Sequence, residues 1–425
     1  MAAAVAFAVT LAALALVSRD ERRATAGPGP GVATAPRGMA TDARITRLQA
    51  RVAEAPERVD LVAVLAGAYL QKVREAGDFS YYAKADGVLA RGLARAPRDA
   101  GLLTERGALR LARHDFRGAL ADGRRARRLA PEVNKPFGVV VDALVELGRY
   151  DAAIRVLQAM IDRKPNIDAY ARVAYVRELR GDLDGAAEAL ALADSAGGEV
   201  PENTAYVQSL IGNLALQRGQ VGAARRAYRT ALARVRAYAP AQAGLARAEA
   251  AGGDLGRAIG GLRAVVTRLP LPEYVVALGE TELAAGRVSS ARRDLEIVRA
   301  QQQLLAGAGV NTDVEMALYE ADHGSPARAL RLARAAWRAA PSVRSADALG
   351  WALTRAGRGR EGLRWARRAL ATGWREPSVL YHAGMAARSA GRERLARRWL
   401  GRALRQSPRF SPLHAPRARR ALEAL

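Results

Sequence analysis

Four histidines, a scatter of carboxylates and no cysteine are the raw material for metal or proton chemistry in this 425-residue sequence. His114 and His323 fall in turns, His382 sits on a helical stretch and His414 lies near the end, none with a second ligand at the short spacing of a local metal motif. The lack of cysteine excludes disulfides, thiolate metal sites, cysteine nucleophiles and lipidation at cysteine. Glu315, Glu320, Asp322 and His323 make a small acidic group, but helical spacing scatters them round a turn, so a solvated face is expected. Gly357-Arg358-Gly359-Arg360-Glu361-Gly362 matches G-x-G-x-x-G. A dinucleotide site needs a strand before that motif, whereas a helical pattern precedes it here, so it is an inter-helix turn. No P-loop, G-x-S-x-G or H-E-x-x-H pattern occurs. The expectation is a protein without catalytic residues, metal or cofactor.

Charge is the other chemical signal. The formal net charge is +25, and from Pro326 to Leu425 there are 23 arginines against five acids, which leaves +18 there and +7 for the rest. Arg364, Arg367, Arg368, Arg394, Arg397, Arg398, Arg402 and Arg405 form a candidate basic patch. Lysine occurs only at Lys72, Lys84, Lys135 and Lys164, so base composition accounts for arginine over lysine, although not for the shortage of acids at one end. Such a patch suits an anionic envelope polymer, acidic lipid or nucleic acid. The absence of a helix-turn-helix or other reader counts against nucleic acid. All five tryptophans share this region, and Trp365 and Trp399 stand 34 residues apart, which argues for packing in a repeat over base stacking.

The elements that must carry these residues are read best at Val141 to Pro165. Val141, Leu144 and Val145, then Ile154, Leu157 and Ile161, recur at helical spacing on either side of Gly148, which can close one helix in left-handed geometry. Asp151 can cap the next helix. Ala152 and Ala153 let the second helix lie close against the first. The small residue recurs at Ala85, Ala119, Ala153, Ala186, Ala224, Ala258, Ala291, Ala329, Gly362 and Ala396, in steps of 33 or 34 with two of 38. Turn glycines keep the same step through Gly148, Gly181, Gly219, Gly253, Gly286, Gly324, Gly357 and Gly391, with His114 in that slot once. Closing prolines follow at Pro97, Pro131, Pro165, Pro270, Pro341 and Pro408.

Small residue, aromatic or leucine, small residue and proline at this period resemble the tetratricopeptide repeat (TPR), over roughly residues 42 to 415. The family's leucine-glycine pair stands as Ile211-Gly212, Leu278-Gly279 and Leu349-Gly350. The resemblance implies an all-α, right-handed superhelical solenoid of about ten antiparallel hairpins, with independent domains not expected. It also implies a non-catalytic scaffold that receives a protein or peptide segment in a concave groove, and places Tyr175, Tyr206, Asn213, Trp351, Tyr381 and Met385 on that groove. An anion-binding solenoid acting through the arginine-rich end is the alternative. The stretches DFSYYAKA and GVNTDVEMALYEADHG resemble segments of a recurring type of bacterial repeat protein, with no activity implied.

Within the expected solenoid at 42–425, residues 42–56 form a capping helix and 326–425 the basic portion. The turn after Gly77 is enlarged and carries Phe79, Tyr81 and Tyr82. Ala193 to Asn203 is a lengthened connection, and Ser289 to Ala306 a longer helix after which Thr312 or Asp313 caps the next. Ahead of the solenoid, residues 18–41 form a proline-, glycine- and alanine-rich linker. Residues 1–17 contain the uncharged apolar run Ala2 to Val17, short for a membrane span and of suitable length for a signal-peptide core. A signal peptide or membrane anchor, and a place in the cell envelope, are the expectations; Arg19, Arg22 and Arg23 leave a cytoplasmic side open.

Overall fold

The computed structural model describes residues 37–198 and 200–425, so the apolar leader and most of the linker lie outside the described residues. Every regular element among the described residues is a helix, 22 in all, and none of these helices is long and apolar enough to cross a membrane. The described residues divide into two compact units, one of residues 37–143 with 307–310, the other of 144–306 and 311–425.

The first of these carries α1 (Arg37–Glu54), α2 (Val59–Ala76), α3 (Ser80–Arg95), α4 (Ala100–Ala112), α5 (Phe116–Leu129) and most of α6 (Lys135–Glu146). The α2 and α3 helices pair, as do α4 and α5, around the fully buried small residues Ala85 and Ala119. The α1 helix begins at Arg37, which takes the end of the expected linker into the capping helix. After Gly77 there is no enlarged turn. The α3 helix starts early, at Ser80, so Tyr81 and Tyr82 are helical, with Tyr82 buried and Tyr81 packed 5.6 Å from Tyr69. Aromatic side chains that can bury themselves favour an extra helical turn over a loop.

The second unit carries sixteen helices after α6. They are α7 (Tyr150–Arg163), α8 (Ile167–Leu179), α9 (Leu183–Ser195), α10 (Pro201–Gln217), α11 (Val221–Arg234), α12 (Ala239–Gly252), α13 (Leu255–Arg268) and α14 (Pro272–Ala284). Then come α15 (Val288–Gly307), α16 (Asp313–His323), α17 (Pro326–Ala339), α18 (Val343–Arg355), α19 (Gly359–Ala369), α20 (Pro377–Ser389), α21 (Glu393–Gln406) and α22 (His414–Glu423). Sequential pairs such as α10 with α11, α12 with α13, α18 with α19 and α20 with α21 pack as hairpins, with Ala224, Ala258 and Ala396 fully buried at the contacts. The inter-helix glycines have positive φ, and His114 takes their place with a φ of 59°. Gly324 departs from the expectation with a φ of −132°. Asp115, Asp182 and Asp254 cap their helices, whereas Asp151 lies inside α7 and accepts from the Arg180 guanidinium at 2.8 Å. Thr312 occupies the cap position of α16 without a side-chain bond.

The hairpins of this unit also meet across long sequence distances. The Val343 N–H donates to the Tyr150 hydroxyl at 2.9 Å, 193 residues away. Ser407 Oγ donates to the Leu216 carbonyl at 3.1 Å, and Gln406 Nε2 to that of Gln217 at 3.2 Å. Backbone approaches backbone so closely at this seam that a Cβ on Gly148 would stand 2.2 Å from the Pro341 oxygen. Glycine is therefore required there twice, for its φ of 68° and for this contact.

Candidate functional site

The last hairpins present two faces of opposite chemistry. In α21, Ala396, Trp399, Leu400 and Ala403 recur at helical spacing and are buried, which forces the intervening arginines outward. Arg364, Arg367, Arg368, Arg394, Arg397, Arg398 and Arg405 are exposed and Arg402 is half-buried. Arg364 and Arg398, like Arg368 and Arg402, stand one repeat apart, so α19 and α21 repeat one pattern. Arg364 has Glu361 at 3.8 Å; no ion pair joins the other seven to a carboxylate among the described residues. Burial and then the charges of Arg375, Arg405 and Arg398 make the Arg402 cation harder to hold, a sign of cations crowded without neutralisation. The Arg368 guanidinium lies 4.5 Å from the Trp337 ring centre and 5.6 Å from that of Trp365, and the two rings meet edge to face at 4.7 Å.

Inward, polar groups are paired. Glu320, expected on a solvated face, has no exposed side-chain surface; it accepts from Arg299 at 3.2 Å, Arg328 at 3.1 Å and the Ser325 N–H at 2.9 Å. Burial pushes its carboxyl up, but those donors win and hold it below the usual range. His323 Nε2 is 3.1 Å from Glu280. His382 Nδ1 is 3.0 Å from Asp347 Oδ2, and His414 Nε2 is 3.5 Å from Asp322 Oδ1, which also accepts from Trp351 Nε1 at 3.0 Å. Glu315, the remaining acid of the sequence group, faces the buried Arg344 at 3.9 Å. The group is thus an internal one. Histidines without local ligand spacing are brought to carboxylates by packing.

The six groove candidates are placed unevenly. Tyr175 is buried and donates to Glu146 at 3.4 Å, and Tyr206 is buried as well. Asn213 is half-buried and accepts from the Tyr228 hydroxyl at 2.7 Å and from Arg247 at 3.1 Å. Trp351 and Tyr381 are buried and stack on His382 and His414, with ring centres 4.5 Å and 4.8 Å apart. Met385 is half-buried beside the cluster that holds Trp351 and Tyr381. The sequence pattern therefore found two walls of the histidine cluster while missing its centre. One signal was available: Asp347 lies four residues before Trp351 and so shares its helix face.

Helices paired in sequence, closed at glycine turns and stacked hairpin on hairpin define the class: an all-α protein of helical-hairpin repeats with a TPR-like fold. No protein-family model matches the chain, and no curated protein sequence does. Among solved structures it is similar to a chain of the APC/C hetero-tetramer Cut9-Hcn1, at 13% identity and a TM-score of 0.40 over 91% of this chain and 93% of that one. A tetratricopeptide repeat protein from Parabacteroides merdae matches at 16% identity and a TM-score of 0.42 over 56% of this chain and 96% of that one. Human IFIT1, solved as a dimer with m7Gppp-AAAA, matches at 14% identity and a TM-score of 0.49 over 86% of each chain.

Proposed function

We propose that the protein is a non-catalytic docking scaffold that holds an acidic segment of another protein on the arginine face of α19 and α21. The observation that carries this reading is the row of eight outward arginines, seven of them without an ion-paired carboxylate among the described residues, with Arg402 crowded by three other cations. Guanidinium forks bind carboxylates bidentately, and those anchored on tryptophan lose less freedom on binding. The concave-groove reading has less support, because Tyr175, Tyr206, Trp351 and Tyr381 are buried in the free chain. The apolar residues 2–17 favour a place at a membrane or in the envelope, which fractionation of full-length protein against a version starting at Met39 would test.

The decisive measurement is fluorescence anisotropy with a labelled glutamate-rich peptide across a salt series. Binding should weaken steeply as salt screens the charges, and reversal of Arg397, Arg398, Arg402 and Arg405 to glutamate should weaken it by at least about tenfold. Affinity unchanged by reversal but lost on Asn213→Ala would move recognition to the groove. Preference for anionic vesicles or nucleic acid over the peptide would replace the acidic protein with that partner.

A further inference from the structure

Asp322, His382 and His414 come from α16, α20 and α22, 60 and 32 residues apart in sequence, yet one ligand atom of each lies within 4.8 Å of the others. Their side chains are almost wholly buried, with exposures of 0%, 3% and 1%. A buried polar atom without a partner is costly, and several in one place point to something that would satisfy them. Here Asp322 Oδ2, His382 Nε2 and His414 Nε2 all lack a hydrogen bond among the described residues.

From these observations we propose that Asp322, His382 and His414 form a three-ligand site for a divalent transition-metal ion of the zinc class. Two imidazoles and a carboxylate are a donor set that zinc accepts, with bonds of about 2.0 to 2.2 Å and ligand atoms about 3.4 Å apart in a tetrahedron. His414 Nε2 and Asp322 Oδ1 already stand at 3.5 Å. Closing the remaining spread, from 4.8 Å at most, takes a shift of about 1.4 Å.

The surroundings have the form that metal-bound histidines use. His382 turns Nδ1 to Asp347 at 3.0 Å, which fixes its tautomer and leaves Nε2 to bind. Trp351 clamps Asp322 by its indole N–H and lies flat against His382, with an interplanar angle of 16°. Tyr381 lies flat against His414 at the same angle. Asp322, Asp347 and Glu280 supply three carboxylates around three imidazoles, enough negative charge to receive a dication. A metal here would tie α16 to α20 and α22, past the intervening hairpin of α18 and α19.

The test uses the full chain, purified through a tag without histidine, stripped with chelator and titrated with zinc chloride by calorimetry. One zinc per chain should bind, cobalt should give a tetrahedral visible spectrum, and the thermal midpoint should rise with metal. Asp322→Asn and His382→Gln should each weaken zinc by at least about 100-fold, and Asp347→Asn by about 10- to 100-fold. His114→Gly, in the other compact unit and compatible with its positive φ, should leave binding intact. A folded apo chain that takes up no stoichiometric zinc overturns the proposal, as does binding that survives the Asp322 and His382 changes. Should a variant fail to fold, X-ray absorption of the cobalt-loaded wild type decides: two imidazoles in the shell uphold the site, and none overturns it.

Discussion

The outer and inner faces of the final hairpins are built from the same helices and handle charge in opposite ways. On the outer side of α19 and α21 the arginines face solvent, and among the described residues only Arg364 has a carboxylate within ion-pair distance. On the inner side of α16, α18 and α20, nearly every carboxylate meets a cation, an imidazole or an indole N–H. Solvent can satisfy the outer charges, so they contribute little to folding and are free for a partner. The inner ones must be satisfied by one another, so they are tied to the fold.

Four measurements press on that contrast. The largest effect should come from Asp322→Ala, which leaves His414 and the Trp351 N–H facing nothing; urea unfolding should show a loss of about 3 to 5 kcal/mol. Next is Gly244→Ala. Tyr228 is fully buried against this glycine, and a Cβ would stand 2.2 Å from its ring, so overpacking should cost about 1 to 3 kcal/mol, read as a lower thermal midpoint. A neutral outcome would place the α11–α12 contact elsewhere.

The third effect depends on pH. Burial, with the Glu376 charge behind it, pushes the Glu178 carboxyl up from 4.5 to about 8. The folded chain then holds a proton that the unfolded chain has released. The stabilisation is full below about 4.5 and is lost as pH rises toward about 8, at no more than about 1.4 kcal/mol per pH unit. Glu178→Gln should flatten that part of the stability curve; an unchanged slope would mean that solvent reaches the carboxylate. The smallest effect belongs outside: Arg364→Ala and Arg397→Ala should each alter stability by less than about 0.5 kcal/mol while still weakening an acidic peptide. A large stability loss there would erase the distinction between the faces.

This contrast also explains how much could be read from the sequence. Positive-φ glycines, buried alanines and aspartate caps are local features, repeated at a fixed step, and each is visible within a few residues. Where one copy departed, as at Asp151 or in the helix that starts at Ser80, the local rule yielded to packing. The acidic group at Glu315 to His323 looked solvated because polar residues on a helix usually are. Its partners come from α14, α15, α17, α18 and α22, from 43 residues before His323 to 92 residues beyond Asp322, and no periodicity encodes such a meeting. The arginine face was legible for the opposite reason, since exposure needs no partner.

The seam between Tyr150 and Val343 bears on how such a protein can evolve. Repeat arrays ordinarily change length by gaining or losing whole hairpins, because each unit answers only to its neighbours. Here the carbonyls of Leu216 and Gln217 answer to Ser407 and Gln406, about 190 residues away. Loss or duplication of a hairpin between Gly219 and Pro341 would carry those donors past their acceptors and set Pro341 against a residue other than Gly148. The number of hairpins in this span is therefore fixed as a loop size is fixed. Change should enter through substitutions and connection lengths, as in the two 38-residue steps, and not through the copy number that the repeat would otherwise allow.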